Sequence, residues 1–259
     1  MPPTGRRHGE VDALFLVSAA HLRLGDLDRA LPPAEEGLRL ARGTGDRRAE
    51  ANLLHQVGWI HRMNGRIDIA LDHLERGLRL ADDGGFTRLH IWLSLAVGIV
   101  RREQGDLEAA EHHLRGALAA ARRARTDGDV GSILNHLAAL QRRRDDPAGA
   151  RRTAEEALRL SRTVGLALNA ADALLTLGEI QIDLGAGGRA RDLLTAARDQ
   201  LAGLGSAYGQ ARAWKALGVA DQLDGRPDAA RAARHEARRL FADDGTAAEV
   251  RALDALLEE

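Results

Sequence analysis

The sequence contains no cysteine, a single lysine (Lys215) and few aromatic residues. Without cysteine the chain can form neither disulfides nor thiolate metal sites, and this usage fits a cytoplasmic protein. Aromatic residues make up 3% of the 259 residues, so the core must consist mainly of leucine, alanine, valine and isoleucine. No apolar run approaches the roughly 20 residues that a transmembrane helix needs, so we expect no membrane partner.

Charged residues are abundant but balanced. The sequence has 38 acidic and 37 basic residues, for a formal charge of -1. A broad basic surface that would hold nucleic acid is therefore not expected. The arginine runs at 122–129 and 142–144 are local, and a solvated helix face explains them better.

A period of forty residues runs through most of the chain. One column is glycine with a single exception: Gly25, Gly65, Gly105, Asp145, Gly185 and Gly225. A second column is always alanine: Ala30, Ala70, Ala110, Ala150, Ala190 and Ala230. A third is always small: Ser18, Gly58, Gly98, Ala138, Gly178 and Gly218. Six units in strict register indicate a repeat architecture.

Each unit predicts two helices. Small and apolar residues recur at three- and four-residue spacing before the turn glycine and again after it, as in Leu54, Val57 and Gly58, then Ala70 and Leu74. The glycine ends the first helix and allows a sharp turn. The small columns mark places where two helices must approach closely.

This pattern resembles the tetratricopeptide repeat family, whose small-residue positions fall on the columns of Gly58, Ala70 and Gly77 and whose turn glycine falls on Gly65. The resemblance covers residues 11–245, with a period longer than the usual roughly thirty-four residues. Such long-period arrays are similar to sensor segments of actinobacterial transcriptional regulators and to peptide-pheromone receptors. The resemblance implies an all-α, right-handed superhelical solenoid of six helix pairs.

The two ends of the array differ in sequence. Residues 1–10 are expected to form a flexible tail. In the predicted capping helix, residues 246–259, Thr246 and Glu249 form a capping box, and the apolar face that follows would cover the last repeat. The first repeat has no comparable cap. Its outer face is therefore either an interaction surface, through which the chain would form a homo-oligomer, or a face covered by the rest of a larger protein.

Motifs for catalysis and cofactor binding are missing. The sequence has no GxxxxGK[ST] phosphate loop, no GxGxxG behind a strand and no HExxH. His112 and His113 are adjacent, so they point about 100° apart on a helix and cannot easily share a metal. Ser132 and His136 lie one turn apart, but no GxSxG elbow surrounds the serine. We therefore expect no metal, no cofactor and no enzymatic activity.

The first helices of such repeats line a concave surface, and the stripe opposite their core faces the groove. Arginine recurs in one column there, which suits the carboxylates or phosphates of an extended ligand. The alternative is that these arginines pair with neighbouring acids such as Glu103. Large aromatics off the core are typical binding anchors. The candidate groove residues are Asn52, His55, Trp59, Arg62, Trp92, Arg102, Asn135 and Arg142.

These observations favour a non-enzymatic scaffold or sensor that binds a protein or peptide segment with acidic groups. Backbone amides of the ligand would meet Asn52 and Asn135, and its apolar side chains would pack on Trp59 and Trp92. A narrower hypothesis is the ligand-sensing part of a transcriptional regulatory system. The alternative is a natural-product pathway enzyme or small-molecule-binding protein on the same solenoid, which would need an enclosed pocket.

Overall fold

The computed structural model describes residues 4–243 and 246–257, and every regular element in these ranges is an α-helix. The predicted all-α architecture of helix pairs followed by a last helix is therefore confirmed. The helices are α1 (Thr4–Arg23), α2 (Leu27–Thr44), α3 (Arg47–Met63), α4 (Ile67–Asp83), α5 (Thr87–Gln104), α6 (Leu107–Ala124), α7 (Asp127–Arg143), α8 (Pro147–Thr163), α9 (Ala167–Asp183), α10 (Gly187–Gly203), α11 (Ala207–Leu223), α12 (Pro227–Asp243) and α13 (Ala247–Leu257).

Short turns with one left-handed residue join consecutive helices. The amide after that residue closes the turn by donating to a carbonyl five residues earlier, as from Asp26 to His21 at 3.0 Å. Left-handed backbone recurs every twenty residues, at Gly25, Gly45, Gly65, Gly85, Gly105, Arg125, Asp145, Gly165, Gly185, Gly205 and Gly225. The forty-residue period in the sequence is thus twice the interval between turns.

The small columns are confirmed as places of close helix packing. A β-carbon built on Gly58 would lie 2.7 Å from Leu74 Cγ, and one on Gly178 would lie 2.5 Å from Leu194 Cγ. Real β-carbons do not approach so closely, so any larger residue at position 58 or 178 would require the opposing leucine to shift. The alanine column is fully buried at all six positions.

The chain divides into two compact units, residues 1–124 and 125–259. The first unit contains α1–α6 as three helix pairs, and the second contains α7–α12 as three pairs together with α13. Within each unit the two helices of a pair pack together, and the first helices of successive pairs also touch. A single right-handed superhelix over residues 11–245 stays a prediction.

The first helix begins earlier than expected. Residues 4–10 belong to α1 instead of a flexible tail, while residues 1–3 lie outside the described residues. A contact supports this start, because His8 Nε2 lies 3.4 Å from the Asp46 carboxylate at the beginning of α3.

The last helix packs on the sixth repeat through its centre. Leu253 is fully buried beside Leu240 and Phe241 of α12. The Glu249 carboxylate accepts a hydrogen bond from Lys215 at 2.6 Å, and its capping box with Thr246 stays a prediction. Residues 258 and 259 of the predicted capping segment lie outside the described residues.

Candidate functional site

A row of five side chains crosses the first unit from α5 to α3. The Arg88 guanidinium lies 4.6 Å from the ring centre of Trp92, and Arg62 lies 4.6 Å from that of Trp59. His55 stands between the two indoles, with ring centres 6.5 Å from Trp59 and 6.4 Å from Trp92. Contacts within each helix follow from three- and four-residue spacing. Four of the five residues, all but Arg88, were predicted for the groove.

The imidazole in this row is neutral near pH 7. Burial lowers the pKa of His55 to about 4, because a protonated ring would lose its hydration there. A neutral imidazole has one N–H donor and one nitrogen acceptor. His55 therefore contributes an uncharged polar edge between two apolar rings.

A groove of about 290 Å³ opens beside this row, between α1, α3 and α5. Two of the predicted site residues, Asn52 and Trp92, line it. Its lining also includes Asp12, Asp46, Arg48, Ala49, Arg88 and Leu89. Since Arg48 and Arg88 are exposed, the groove opens to solvent.

Arg48 and Arg88 are functional candidates that sequence reasoning missed. They are forty residues apart and stand four residues before Asn52 and Trp92, so the repeat would have found them had it been followed to the first turn of each helix. Among the described residues, neither arginine forms an ion pair and the Asn52 amide has no hydrogen-bond partner. These groups can therefore receive a ligand without breaking an ion pair or a hydrogen bond, and Arg88 is held against the Trp92 ring.

The three arginines of the predicted ladder are placed differently. Arg62 donates to both oxygens of Glu103, with nitrogen–oxygen distances of 2.6 and 3.0 Å. Arg142 pairs with Glu179 and Asp183. Two of the three are thus engaged by acids of the following repeat, as the alternative interpretation expected. Arg102 is half-buried on α5, and the ladder as one continuous feature stays a prediction.

Asn135 does not face a groove as expected. It is only 7% exposed, and its Nδ2 donates to the backbone oxygen of Asn169 at 3.1 Å. Its Nδ2 therefore joins α7 to α9, while its Oδ1 is buried without a hydrogen-bond partner among the described residues. Asn52, at a different position on α3, is the one of the two predicted amides that borders the groove.

Ion pairs occupy the corresponding helices of the second unit. Arg212 lies 3.6 Å from the Asp172 carboxylate, and Lys215 lies 2.6 Å from that of Glu249. Burial raises the pKa of Asp172, while the nearby Arg212 opposes this shift. These charged side chains therefore form ion pairs between helices of the second unit.

The described ranges contain no group of three or more histidine, aspartate or glutamate residues arranged to hold a metal ion. In the same ranges, none of the helices combines the length and the apolar character that a membrane span requires.

The sequence model of the tetratricopeptide repeat matches residues 9–83 and 89–163. These matches cover more than half of the chain, so the protein belongs to the tetratricopeptide repeat family. A comparison with curated proteins gives no match.

Solved structures share the fold at low sequence identity. A Rap protein in complex with competence and sporulation factor is 13% identical with a TM-score of 0.73, over 96% of this chain and 74% of that one. NprR in complex with its cognate peptide NprX is 14% identical with a TM-score of 0.73, over 93% and 70%. BtubC from P. vanneervenii is 18% identical with a TM-score of 0.60, over 89% and 91%. Identities this low show a common fold alone.

Proposed function

We propose that this chain is a non-enzymatic sensor or scaffold whose first unit binds an extended peptide or protein segment with acidic groups. One observation carries the proposal: Arg48, Arg88, Asn52 and Trp92 converge on one open groove. The peptide bound by NprR, which has the same fold, supports a peptide as the ligand class.

Three parts of the groove suit parts of such a ligand, while the carboxylates of Asp12 and Asp46 add negative charge to the same lining. The Asn52 amide can donate to a backbone carbonyl and accept from a backbone N–H. Apolar side chains of the ligand would pack against Trp92 and the neighbouring His55. Acidic groups would meet Arg48 and Arg88, whose guanidinium groups form strong charge-assisted hydrogen bonds with carboxylates.

The finer proposal places this binding in the cytoplasm, as the sensing part of a transcriptional regulatory system. The long-period repeat and the lack of cysteine support it. A regulator gene beside the gene for this chain would agree with this role, whereas a neighbourhood of unrelated housekeeping genes would count against it.

A selection experiment tests peptide binding directly. A phage-displayed random dodecapeptide library is panned on the full chain, and enriched peptides are measured by fluorescence anisotropy against wild type, Asn52→Ala and Trp92→Ala. Both variants should bind more weakly. Arg79→Gln, which changes an exposed arginine of α4, is the matched control and should bind as wild type does. A library without enriched peptides, or equal affinities for all variants, would contradict the proposal.

The alternative, a natural-product pathway enzyme or small-molecule-binding protein, is not favoured. Small-molecule sites enclose most of their ligand. The groove beside Trp92 opens to solvent between two exposed arginines, which suits a chain that passes along the surface better than an enclosed substrate.

A further inference from the structure

One face of α1 is apolar and exposed. Leu16 is 63% exposed and Val17 is 48% exposed, and Ala13 and Ala20 lie on the same side of the helix. In the next two repeats of the first unit, the residues in the column of Val17 are Val57 and Val97, and both are fully buried. The face of α1 that is equivalent to these buried faces of α3 and α5 is therefore exposed to solvent.

Acidic and basic residues frame this face in a definite order. At 100° per residue, Glu10 and His21 lie along one flank of the apolar stripe, and Asp12 and Arg23 lie along the other. On both flanks the acid is in the N-terminal half of α1 and the base is in the C-terminal half.

This order matches a second copy of the same helix in the opposite direction. If two α1 helices cross antiparallel between Leu16 and Val17, each flank meets the same flank of the other copy. Asp12 then lies near Arg23 of the second copy, and Glu10 lies near its His21. A parallel arrangement would bring like charges together instead.

We propose that the chain forms a twofold homodimer through the exposed face of α1, with the two helices antiparallel. Leu16 and Val17 form the centre of the interface, and Ala13 and Ala20 allow the helices to approach closely. The charged flanks form the rim and set the direction of the helices. This inference does not depend on peptide binding.

Sedimentation velocity on the full chain, from about 1 to 100 µM, tests the interface, because a dimer with a micromolar Kd would populate both states over this range. Wild type should shift from monomer to dimer, and Val17→Glu should stay monomeric. Leu184→Glu is the control, since Leu184 is 51% exposed in the second unit, and this variant should associate as wild type does. Thermal melts followed by circular dichroism verify that each variant is folded. A monomeric wild type, or a Val17→Glu variant that still dimerises, would overturn the proposal.

A charge exchange tests the direction of the helices. Asp12→Arg and Arg23→Asp should each weaken the dimer by roughly two- to tenfold, since each disrupts two rim ion pairs per dimer. The double variant restores opposite charges across the twofold axis and should recover most of the wild-type affinity. A double variant weaker than either single variant would rule out the antiparallel arrangement.

Discussion

Gly98 of α5 lies directly against Leu114 of α6, so that a β-carbon on residue 98 would stand 2.8 Å from Leu114 Cγ. The same pairing of glycine with leucine sixteen residues later recurs at Gly58 and Gly178. In the fourth repeat both positions are alanine, Ala138 and Ala154, and both are fully buried. Residues at these two positions therefore compensate each other in volume.

This compensation predicts coupled effects on stability. Gly98→Ala should destabilise the chain by about 1–3 kcal/mol through overpacking, and Leu114→Ala should cost about 2–5 kcal/mol through loss of packing. The double variant has the alanine pair of the fourth repeat. Its loss of stability should be smaller than the summed losses of the two single variants by about 0.5–3 kcal/mol. Urea unfolding of the four proteins measures the coupling.

Gly116→Ala is the control for this cycle. Gly116 lies in α6, and a β-carbon there would meet no atom within 4 Å. Alanine should therefore be neutral or stabilising by up to about 1 kcal/mol, because it is the better helix former. Equal effects of Gly98→Ala and Gly116→Ala would show that packing against Leu114 is not the cause.

Two adjacent aspartates in the α7–α8 turn should respond in opposite ways. Asp145 has a left-handed backbone with φ of 55°, so Asp145→Gly should stabilise the chain by about 0.5–1 kcal/mol. Asp146 Oδ1 accepts a hydrogen bond from the Gly149 amide at 2.8 Å and caps α8, so Asp146→Ala should cost about 0.5–2 kcal/mol. Thermal denaturation of both variants measures the difference. A lower Tm for Asp145→Gly would contradict the strain at that residue.

The repeat columns predicted the fold because each states a local steric requirement. A small residue is required opposite Leu74 and Leu114, and a left-handed residue is required in each turn. These residue types therefore recur at a fixed interval, independently of the other positions of the repeat. The turns between repeats carry the same signal in a second column at the same forty-residue interval, Gly45, Gly85, Gly165 and Gly205.

The candidate site was less predictable because a column fixes only the side of a helix that a residue occupies. The rings of Trp59 and Trp92 each lie beside that of His55, with ring centres 6.5 and 6.4 Å away. The groups that a side chain contacts across the helix interface belong to the neighbouring repeat, and they include backbone as well as side-chain atoms. Asn169 offers a backbone oxygen to Asn135, and Glu103 offers a carboxylate to Arg62. Neither contact follows from the position of the residue within its own repeat.

The half-buried imidazole of His55 should make the free energy of unfolding depend on pH. Its pKa of about 4 in the folded chain is below the usual value of about 6.5 in the unfolded chain. The contribution of His55 to the free energy of unfolding is therefore fully present above about pH 6.5. It is lost as the pH falls towards 4, because protons then bind the unfolded state first. His55→Gln removes this term and keeps a polar side chain.

The measurement compares the pH dependence of the free energy of unfolding in wild type and in His55→Gln. Urea unfolding of wild type and His55→Gln at about pH 7, 5.5 and 4.5 should show a steeper loss of stability for wild type. All carboxylates are common to both proteins, so their titration cancels in the comparison. Parallel pH profiles would mean that His55 accepts a proton as readily in the folded chain as in the unfolded chain.

The arginines that border the groove should contribute more to ligand binding than Arg62. An acidic peptide selected on the wild-type chain serves as the probe. Arg88→Gln should lower its affinity by roughly ten- to a hundredfold, the equivalent of about 1.5–3 kcal/mol for a charge-assisted contact. Arg62→Gln should have a smaller effect, because Glu103 already holds that guanidinium. The Arg88 variant should also show weaker dependence on salt, since one screened attraction is removed.

Arg102→Ala separates this groove from the predicted ladder of Arg62, Arg102 and Arg142. If the ladder holds the acidic groups, loss of its middle member should reduce affinity as much as Arg88→Gln does. If the groove of Arg48 and Arg88 holds them, Arg102→Ala should leave affinity and salt dependence nearly unchanged. Anisotropy titrations at low and high salt distinguish the two outcomes. Unchanged binding in Arg48→Gln, Arg88→Gln and Arg102→Ala alike would show that none of the three arginines contacts the peptide, which then binds elsewhere on the chain.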